Sequence, residues 1–153
     1  MNLTTHFTLR EFTRSSYAIR KGINNEPNDA QIENLRTLCA LVLEPLRMLV
    51  DSPITILSGY RCPEVNVGIG GSKTSQHMEG KAADIMVPEW PPEALYELMR
   101  NNMHFDQLIQ EFDEWVHVSW NGVHNRQQSL RFTRSGSGEL HTIDIRPLKE
   151  ANA

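Results

Sequence analysis

A chain of 153 residues with 39% hydrophobic and 22% charged residues has the length and composition of one globular domain with a single core. Its net charge of −4 argues against nucleic acid or an anionic membrane surface as the main partner, because both need a basic face. Apolar runs stay below the length of about 18 residues that a membrane-spanning helix requires, so no membrane insertion is expected. We therefore expect a single domain over residues 1–153 and a monomer.

Two short helices are predicted near the N-terminus. Thr8 and Glu11 have the spacing of a capping box and begin the first helix. Residues 15–22 favour one or two further helical turns, which end at Gly22 because glycine adopts the left-handed backbone of a helix end.

The longest helix is predicted for about residues 28–50. Asn28 and Gln31 form its capping pair, and Pro45 inside it should bend it by removing one backbone hydrogen bond. Its apolar residues recur at alternating steps of three and four and form one stripe, made of Ile32, Leu35, Cys39, Val42, Leu46 and Leu49.

The rest of the chain is predicted to be mainly strands, with a helix begun by prolines at residues 91–102 and a loop at 61–75. Strands are predicted at 54–60, 82–87, 106–112 and 114–120, and a hairpin at 129–145 with its turn at 135–138. The early helices and the adjacent late strands indicate an α+β fold, in which helices flank a small, largely antiparallel sheet.

Two of these strands carry polar residues that are costly in an apolar setting. Asp84 lies between alanine and isoleucine, and His117 alternates with valines that face the other way. If the strands are neighbours, Asp84 and His117 can share a partner, and His77 can join them because Gly80 lets the chain fold back. Two imidazoles and a carboxylate are the ligand set of a catalytic zinc site, so we predict one zinc ion per chain. His104 and His124 are the alternative ligands.

A general base and an anion-binding cation are also predicted. Glu114 lies three residues before His117, where a carboxylate can take a proton from water and pass it to a leaving amine. Asp113 is the competing carboxylate. Arg61 follows a strand, and its guanidinium can hold a substrate carboxylate or a developing oxyanion.

Other hydrolytic chemistries fit the sequence less well. Ser58 and Cys62 lie in neither a nucleophile-elbow nor a papain-like context. The HExxH pattern of zincin peptidases is absent as well.

The motif SGYR, followed by SQHMEGKAAD and then EWVH, resembles the zinc D-Ala-D-Ala peptidases of the bacterial cell wall. That group includes D,D-carboxypeptidases, D,D-dipeptidases and the L-alanyl-D-glutamate endopeptidases of phage lysins. Its signature, Ser-x-His-x-x-Gly-x-Ala-x-Asp, is complete here, and the resemblance extends more loosely over residues 7–126. The matching positions are Ser75, His77, Gly80, Ala82 and Asp84, and then Glu114 and His117.

The resemblance implies a hedgehog- or DD-peptidase-like fold with zinc on the sheet face. It implies that His77, Asp84 and His117 bind the zinc, that Glu114 is the catalytic base, and that Arg61, together with Ser75, contacts the substrate. The expected substrate is a peptidoglycan stem peptide.

Two functions are compatible with this resemblance. One is a zinc peptidase, either a carboxypeptidase or an endolysin-type endopeptidase. The other is a non-enzymatic zinc-containing binding domain of the same fold, like the hedgehog signalling domain. Because the N-terminus lacks the pattern of a secretory signal, we expect a protein made in the cytoplasm. It would act on the cell wall after release, as phage or prophage lysins do.

Overall fold

A six-stranded mixed sheet organises the fold in the computed structural model, which describes residues 1–136, 138 and 140–144. The strand order is β1-β2-β4-β3-β5-β6. The strands are β1 Thr55–Ser58, β2 Ala82–Met86, β3 Gln107–Glu111, β4 Trp115–Ser119, β5 Gln128–Arg134 and β6 Leu140–Asp144. The α+β prediction is confirmed, with one difference: β5 runs parallel to β3, whereas the other neighbours are antiparallel.

Helices flank this sheet. They are α1 Leu9–Thr13, α2 Ser16–Lys21, α3 Asp29–Leu38, α4 Glu44–Val50, α5 Pro63–Gly68 and α6 Pro92–Asn102, with a 3₁₀ turn at Gln76–Glu79. The predicted capping pairs at Thr8 and Asn28 and the left-handed end at Gly22 are all present. Within the described ranges, no helix combines the length and apolarity needed to cross a bilayer.

The long predicted helix is continuous but widens instead of only bending. A π-helical segment, Cys39–Leu43, joins α3 to α4, and the N–H of Glu44 bonds to the carbonyl of Cys39, five residues back. Pro45 has no N–H to donate, so the turn before it can adopt the wider π geometry without a further loss. The apolar stripe ends at Leu46, because Leu49 is exposed.

Helix α5 lies in the segment predicted to be a loop. Pro63 occupies its first turn, where a missing N–H costs nothing, and Val65 is buried. The predicted hairpin at 129–145 is present as the antiparallel pair β5–β6. Ser137, Glu139 and residue 145 of that prediction lie outside the described residues.

The two faces of the sheet differ in chemistry. Alternate residues of β2 and β4, among them Ala83, Ile85, Val116 and Val118, point into the apolar core formed with the helices. The residues between them point to the opposite face. That face carries the polar residues singled out in the sequence.

Candidate metal centre

Three buried side chains meet on the polar face of the sheet. Asp84 on β2 and His117 on β4 are direct cross-strand partners, and His77 reaches them from the 3₁₀ turn. His117 Nδ1 lies 3.0 Å from Asp84 Oδ1, and His77 Nε2 lies 3.3 Å from both of these atoms. Among the described residues, these three form the one group of histidine, cysteine, aspartate and glutamate side chains that can hold a metal ion.

The geometry of the three donor atoms fits zinc. Tetrahedral zinc with bonds of about 2.0–2.1 Å places its ligand atoms about 3.3–3.4 Å apart, close to the observed separations. His77 Nδ1 lies 2.7 Å from the carbonyl oxygen of Gly59, to which it can donate only when it carries the proton. That hydrogen bond leaves the Nε2 lone pair free to point at the metal position, as second-shell partners do in zinc sites.

The charge states also suit a metal ligand set. Burial raises the pKa of Asp84, but the nearby imidazoles of His77 and His117 outweigh it and hold that pKa well below its usual range. Burial lowers the pKa of His77 more than the adjacent Asp84 raises it. An ionised carboxylate and a neutral imidazole are the forms that bind a metal ion.

Backbone contacts fix the turn that carries His77. The N–H of Arg61 bonds to the carbonyl of His77 at 3.1 Å, which ties the turn to the end of β1. Gly80 ends the turn with φ +72°, and a Cβ there would lie 2.5 Å from the carbonyl oxygen of Gln31. The glycine of the sequence signature is therefore required by both backbone angle and space.

Ser75, predicted to bind substrate, lines the cleft over the cluster but also has a structural contact. Its Oγ accepts a hydrogen bond from the N–H of His77 at 3.2 Å and so begins the 3₁₀ turn.

Arg61 lies beside the cluster and is largely buried. One guanidinium nitrogen donates to Asp84 Oδ2 at 3.1 Å, and Nε donates to the Ser58 hydroxyl at 3.0 Å. The second oxygen of Asp84 is thereby occupied, so Oδ1 is the oxygen directed at the histidines. Burial lowers the pKa of Arg61, although the adjacent Asp84 opposes that shift.

Glu114, predicted to be the base, does not lie with the cluster. It is exposed in the β3–β4 turn and lines a depression with Gln110 and Arg134 that contains none of the three clustered residues. Gln110 points to the helix side of the sheet, where it bonds to Glu93 on α6. Although Glu114 is only three residues from His117, it therefore lies away from the cluster that contains the histidines.

Glu111 is the carboxylate that the sequence analysis missed. It pairs with Trp115 at the end of β3, and the next pair on the same face joins Ile109 to His117. Glu111 and the three clustered residues line one cavity of about 630 Å³. The register was the signal that could have found it, because Glu111 has the same strand parity as His117 across the hairpin.

The environment of Glu111 suits a proton carrier. Burial raises its pKa, and the negative charge of Asp84 raises it further. The indole N–H of Trp115 donates to Glu111 Oε2 at 2.9 Å and so fixes the orientation of the carboxyl group. A carboxyl group with a raised pKa exchanges protons more readily near neutral pH.

The alternative ligands are not part of the cluster. His104 and His124 are both exposed and lie outside the donor triangle. Asp113, the competing carboxylate, is exposed in the same turn as Glu114.

Comparison with known proteins gives one family. The family model described as Peptidase M15 matches residues 5–119, a stretch that contains all three clustered residues, Arg61 and Glu111. A search among curated proteins gives no match.

Proposed function

The chain belongs to the peptidase M15 family, and from this premise we propose that it is a zinc peptidase that hydrolyses a peptide bond in peptidoglycan stem peptides. Family membership makes the chain a metallopeptidase in general terms and implies a substrate that contains peptide bonds. The zinc and the cell-wall substrate belong to our proposal. It is carried by one observation: Glu111 opens onto the same cavity as the donor triangle of His77, Asp84 and His117.

In this proposal the three clustered residues would hold the metal. Zinc supplies Lewis-acid activation of water and of the scissile carbonyl group when it is bound there. His77 acts through Nε2, His117 through Nδ1 and Asp84 through Oδ1, since these are the atoms that converge. The hydrogen bonds from His77 to Gly59 and from Arg61 to Asp84 keep two of the ligands oriented.

Glu111 serves as the general base in place of Glu114. Its carboxylate takes a proton from the attacking water and then donates that proton to the leaving amine nitrogen as the C–N bond breaks. The bond from Trp115 occupies one carboxylate oxygen and leaves the other available for the proton. Glu114 does not line the cavity that holds the donor triangle.

Arg61 and Ser75 complete the proposed site. Both line the cavity over the donor triangle, where a guanidinium stabilises an oxyanion or a substrate carboxylate. Arg61 also orients Asp84, so its role in catalysis includes positioning a ligand.

Digestion of purified peptidoglycan tests the proposal. The protein is stripped with a chelator, reloaded with zinc or left empty, and incubated with the wall material, and the soluble products are identified by mass spectrometry. We expect peptide fragments from the zinc-loaded protein and none from the stripped protein. His117→Ala treated in the same way should also release nothing.

A zinc-loaded protein that releases no fragment from peptidoglycan or from soluble stem peptides would contradict the peptidase. A non-enzymatic zinc-containing binding domain of the same fold would then be the better account. Equal cleavage with and without the metal would contradict the zinc mechanism.

A further inference from the structure

The cleft above the donor triangle continues on both sides of it. Two cavities, of about 630 and 590 Å³, share the lining residues Arg61, Gly70, Gly71, Asp84, Glu111 and Trp115. We name each lobe after one arginine that the other lacks, the Arg126 lobe and the Arg134 lobe. Each lobe has the volume of a site for a small ligand, so within the described part of the chain neither side of the cleft is restricted to a single terminal residue.

The cleft runs along the direction of β3. The Arg126 lobe reaches Gln107 at the start of this strand, and both lobes meet at Glu111 at its end. The Arg134 lobe then continues to Tyr17 on α2. With a rise of about 3.4 Å per residue, the stretch from Gln107 to Glu111 matches an extended peptide of about four residues.

Positive charge is concentrated along this cleft although the chain as a whole carries a net charge of −4. Of the described residues, four arginines and two carboxylates line the lobes; they are Arg14, Arg61, Arg126, Arg134, Asp84 and Glu111. The carboxylates lie at the centre, and Arg126 and Arg134 lie towards the two ends. Such a distribution complements an acidic peptide.

Arg126 is held in place by a buried carboxylate. Its Nε and one terminal nitrogen donate to the two oxygens of Asp106 at 3.0 and 2.8 Å, and Asp106 is fully buried. The arginine side chain is nevertheless 51% exposed, against 14% for Arg61. The outward N–H groups of a guanidinium fixed in this way can bind a carboxylate with little loss of side-chain entropy.

We propose that an extended acidic peptide occupies both lobes, with substrate carboxylates at Arg126 and Arg134, so that the bond cleaved is internal and the protein is an endopeptidase. This inference rests on the proposed function, because it takes the donor triangle as the position of the scissile bond.

A pair of synthetic stem peptides tests whether the cleft is open at both ends. One peptide has free ends, and the other is acetylated at its N-terminus and amidated at its C-terminus. We expect the zinc-loaded protein to cleave both at the same bond with similar kcat/KM and to release fragments of more than one residue. Cleavage that requires the free C-terminal carboxylate, or that releases only the last amino acid, would overturn the inference and leave the peptidase intact.

Calorimetric binding of the same two peptides separates this inference from the proposed function. If the zinc-loaded protein cleaves neither peptide, the peptidase fails, and the binding data decide the inference alone. Similar Kd values for the free and the blocked peptide would support a cleft open at both ends. Binding of only the free peptide, or of neither, would overturn it.

Arginine variants test the two ends. Arg126→Gln and Arg134→Gln should each raise KM for the blocked peptide by about tenfold or more, the range expected for losing a hydrogen bond to a charged group. The increase should vanish for a peptide whose acidic side chains are amidated. Arg20→Gln, an exposed position on α2 that lines neither lobe, is the matched control.

A structural role of Arg126 has a different signature. If Arg126 only neutralises Asp106, Arg126→Gln would lower the Tm and would affect the acidic and the amidated peptide equally. Arg126→Lys should restore part of the KM, because its charge is kept while the bidentate geometry is lost. Unchanged KM in both glutamine variants would overturn the assignment of the ends.

Discussion

At the level of single residues, zinc binding depends on all three atoms of the donor triangle, so the loss of any one of them should be measurable. His117→Ala removes the Nδ1 that lies 3.0 Å from Asp84 and 3.3 Å from His77. We expect this variant to lose its zinc, since two remaining protein ligands bind the ion much more weakly than three. Elemental analysis after dialysis gives the metal content per chain. His124→Ala, an exposed position, should retain the full content, and an equal loss in both variants would count against the assignment.

Arg61 offers a second test at this scale. Its bond to Asp84 Oδ2 makes it a partner of one of the proposed metal ligands, and loss of such a partner typically costs about 10–100-fold in metal affinity. Arg61→Ala should show this loss in a competition titration with a zinc chelator. If activity at saturating zinc is lower as well, by about 10²–10³-fold, the guanidinium also stabilises the oxyanion or binds substrate. Unchanged zinc affinity would show that the contact with Asp84 has no energetic role.

The three clustered residues were predictable from the sequence, whereas the carboxylate that shares their cavity, Glu111, was not. A charged residue in an apolar strand and the spacing of the signature both pointed to His77, Asp84 and His117. The identity of the base depends on the register of the β3–β4 hairpin. Pairing of Glu111 with Trp115 leaves Glu114 in the turn, and the Glu-x-x-His spacing does not carry that information.

Among the secondary-structure elements, the 3₁₀ turn determines where His77 lies. Gly80→Ala would place a side chain on a backbone with φ +72° and only 2.5 Å from the carbonyl oxygen of Gln31. The left-handed backbone costs about 1–2 kcal/mol, and overpacking adds about 1–3 kcal/mol. We expect the free energy of unfolding, measured by urea titration, to fall by the sum.

Gly22→Ala is the matched control for that prediction. Gly22 has φ +66° but open space around its Cβ position, so only the backbone term of about 1–2 kcal/mol applies. Equal losses in the two variants would mean that the turn shifts to relieve the contact with Gln31.

Some elements could not be predicted because their causes are not local. Helix α5 contains Asn66 and Gly68, which favour turns, and Gly70 and Gly71 follow it, but burial of Val65 stabilises it despite them. The π segment before Pro45 depends on how the flanking helices pack. In contrast, the capping pairs at Thr8 and Asn28 involve residues three apart, and the sequence alone was sufficient to predict them.

For the whole molecule, Asp106 links three separate parts of the fold. Its carboxylate accepts hydrogen bonds from Arg126 and, at 2.8 Å, from Gln76, which precedes His77 of the donor triangle. Burial raises the pKa of Asp106, but the bonds from Arg126 and Gln76 outweigh it and lower that pKa. Since the folded pKa is depressed, the carboxylate stabilises the fold above its unfolded pKa of about 3.9, and this stabilisation is lost as the pH falls through the folded pKa.

Asp106→Asn should therefore destabilise the protein most at neutral pH. We expect a loss of about 2 kcal/mol there, as for a hydrogen bond to a charged group, and a smaller difference from the wild type below pH about 4. Urea unfolding between pH 3 and 7 gives both values. Asp113→Asn, an exposed turn position, should have almost no effect. A pH-independent difference for Asp106→Asn would contradict the role of its charge.

At this scale the class of the fold was predictable and the topology was not. Alternating patterns located the strands, but the alternation is the same in parallel and antiparallel pairs. The parallel return of β5 beside β3 therefore had no local signal. That return places Arg134 and Phe132 beside the cleft. The shape of the cleft could therefore not be predicted from the sequence pattern either.

The assignment of Glu111 as the general base is the central claim, because it connects the donor triangle to hydrolysis of the peptide bond. Glu111→Gln and Glu114→Gln, both loaded with zinc, are compared with the wild type in cleavage of one soluble stem peptide. Loss of acid–base assistance should lower kcat by about 10²–10⁴-fold in Glu111→Gln, with unchanged zinc content and Tm, and Glu114→Gln should cleave like the wild type. An inactive Glu114→Gln beside an active Glu111→Gln would contradict the account.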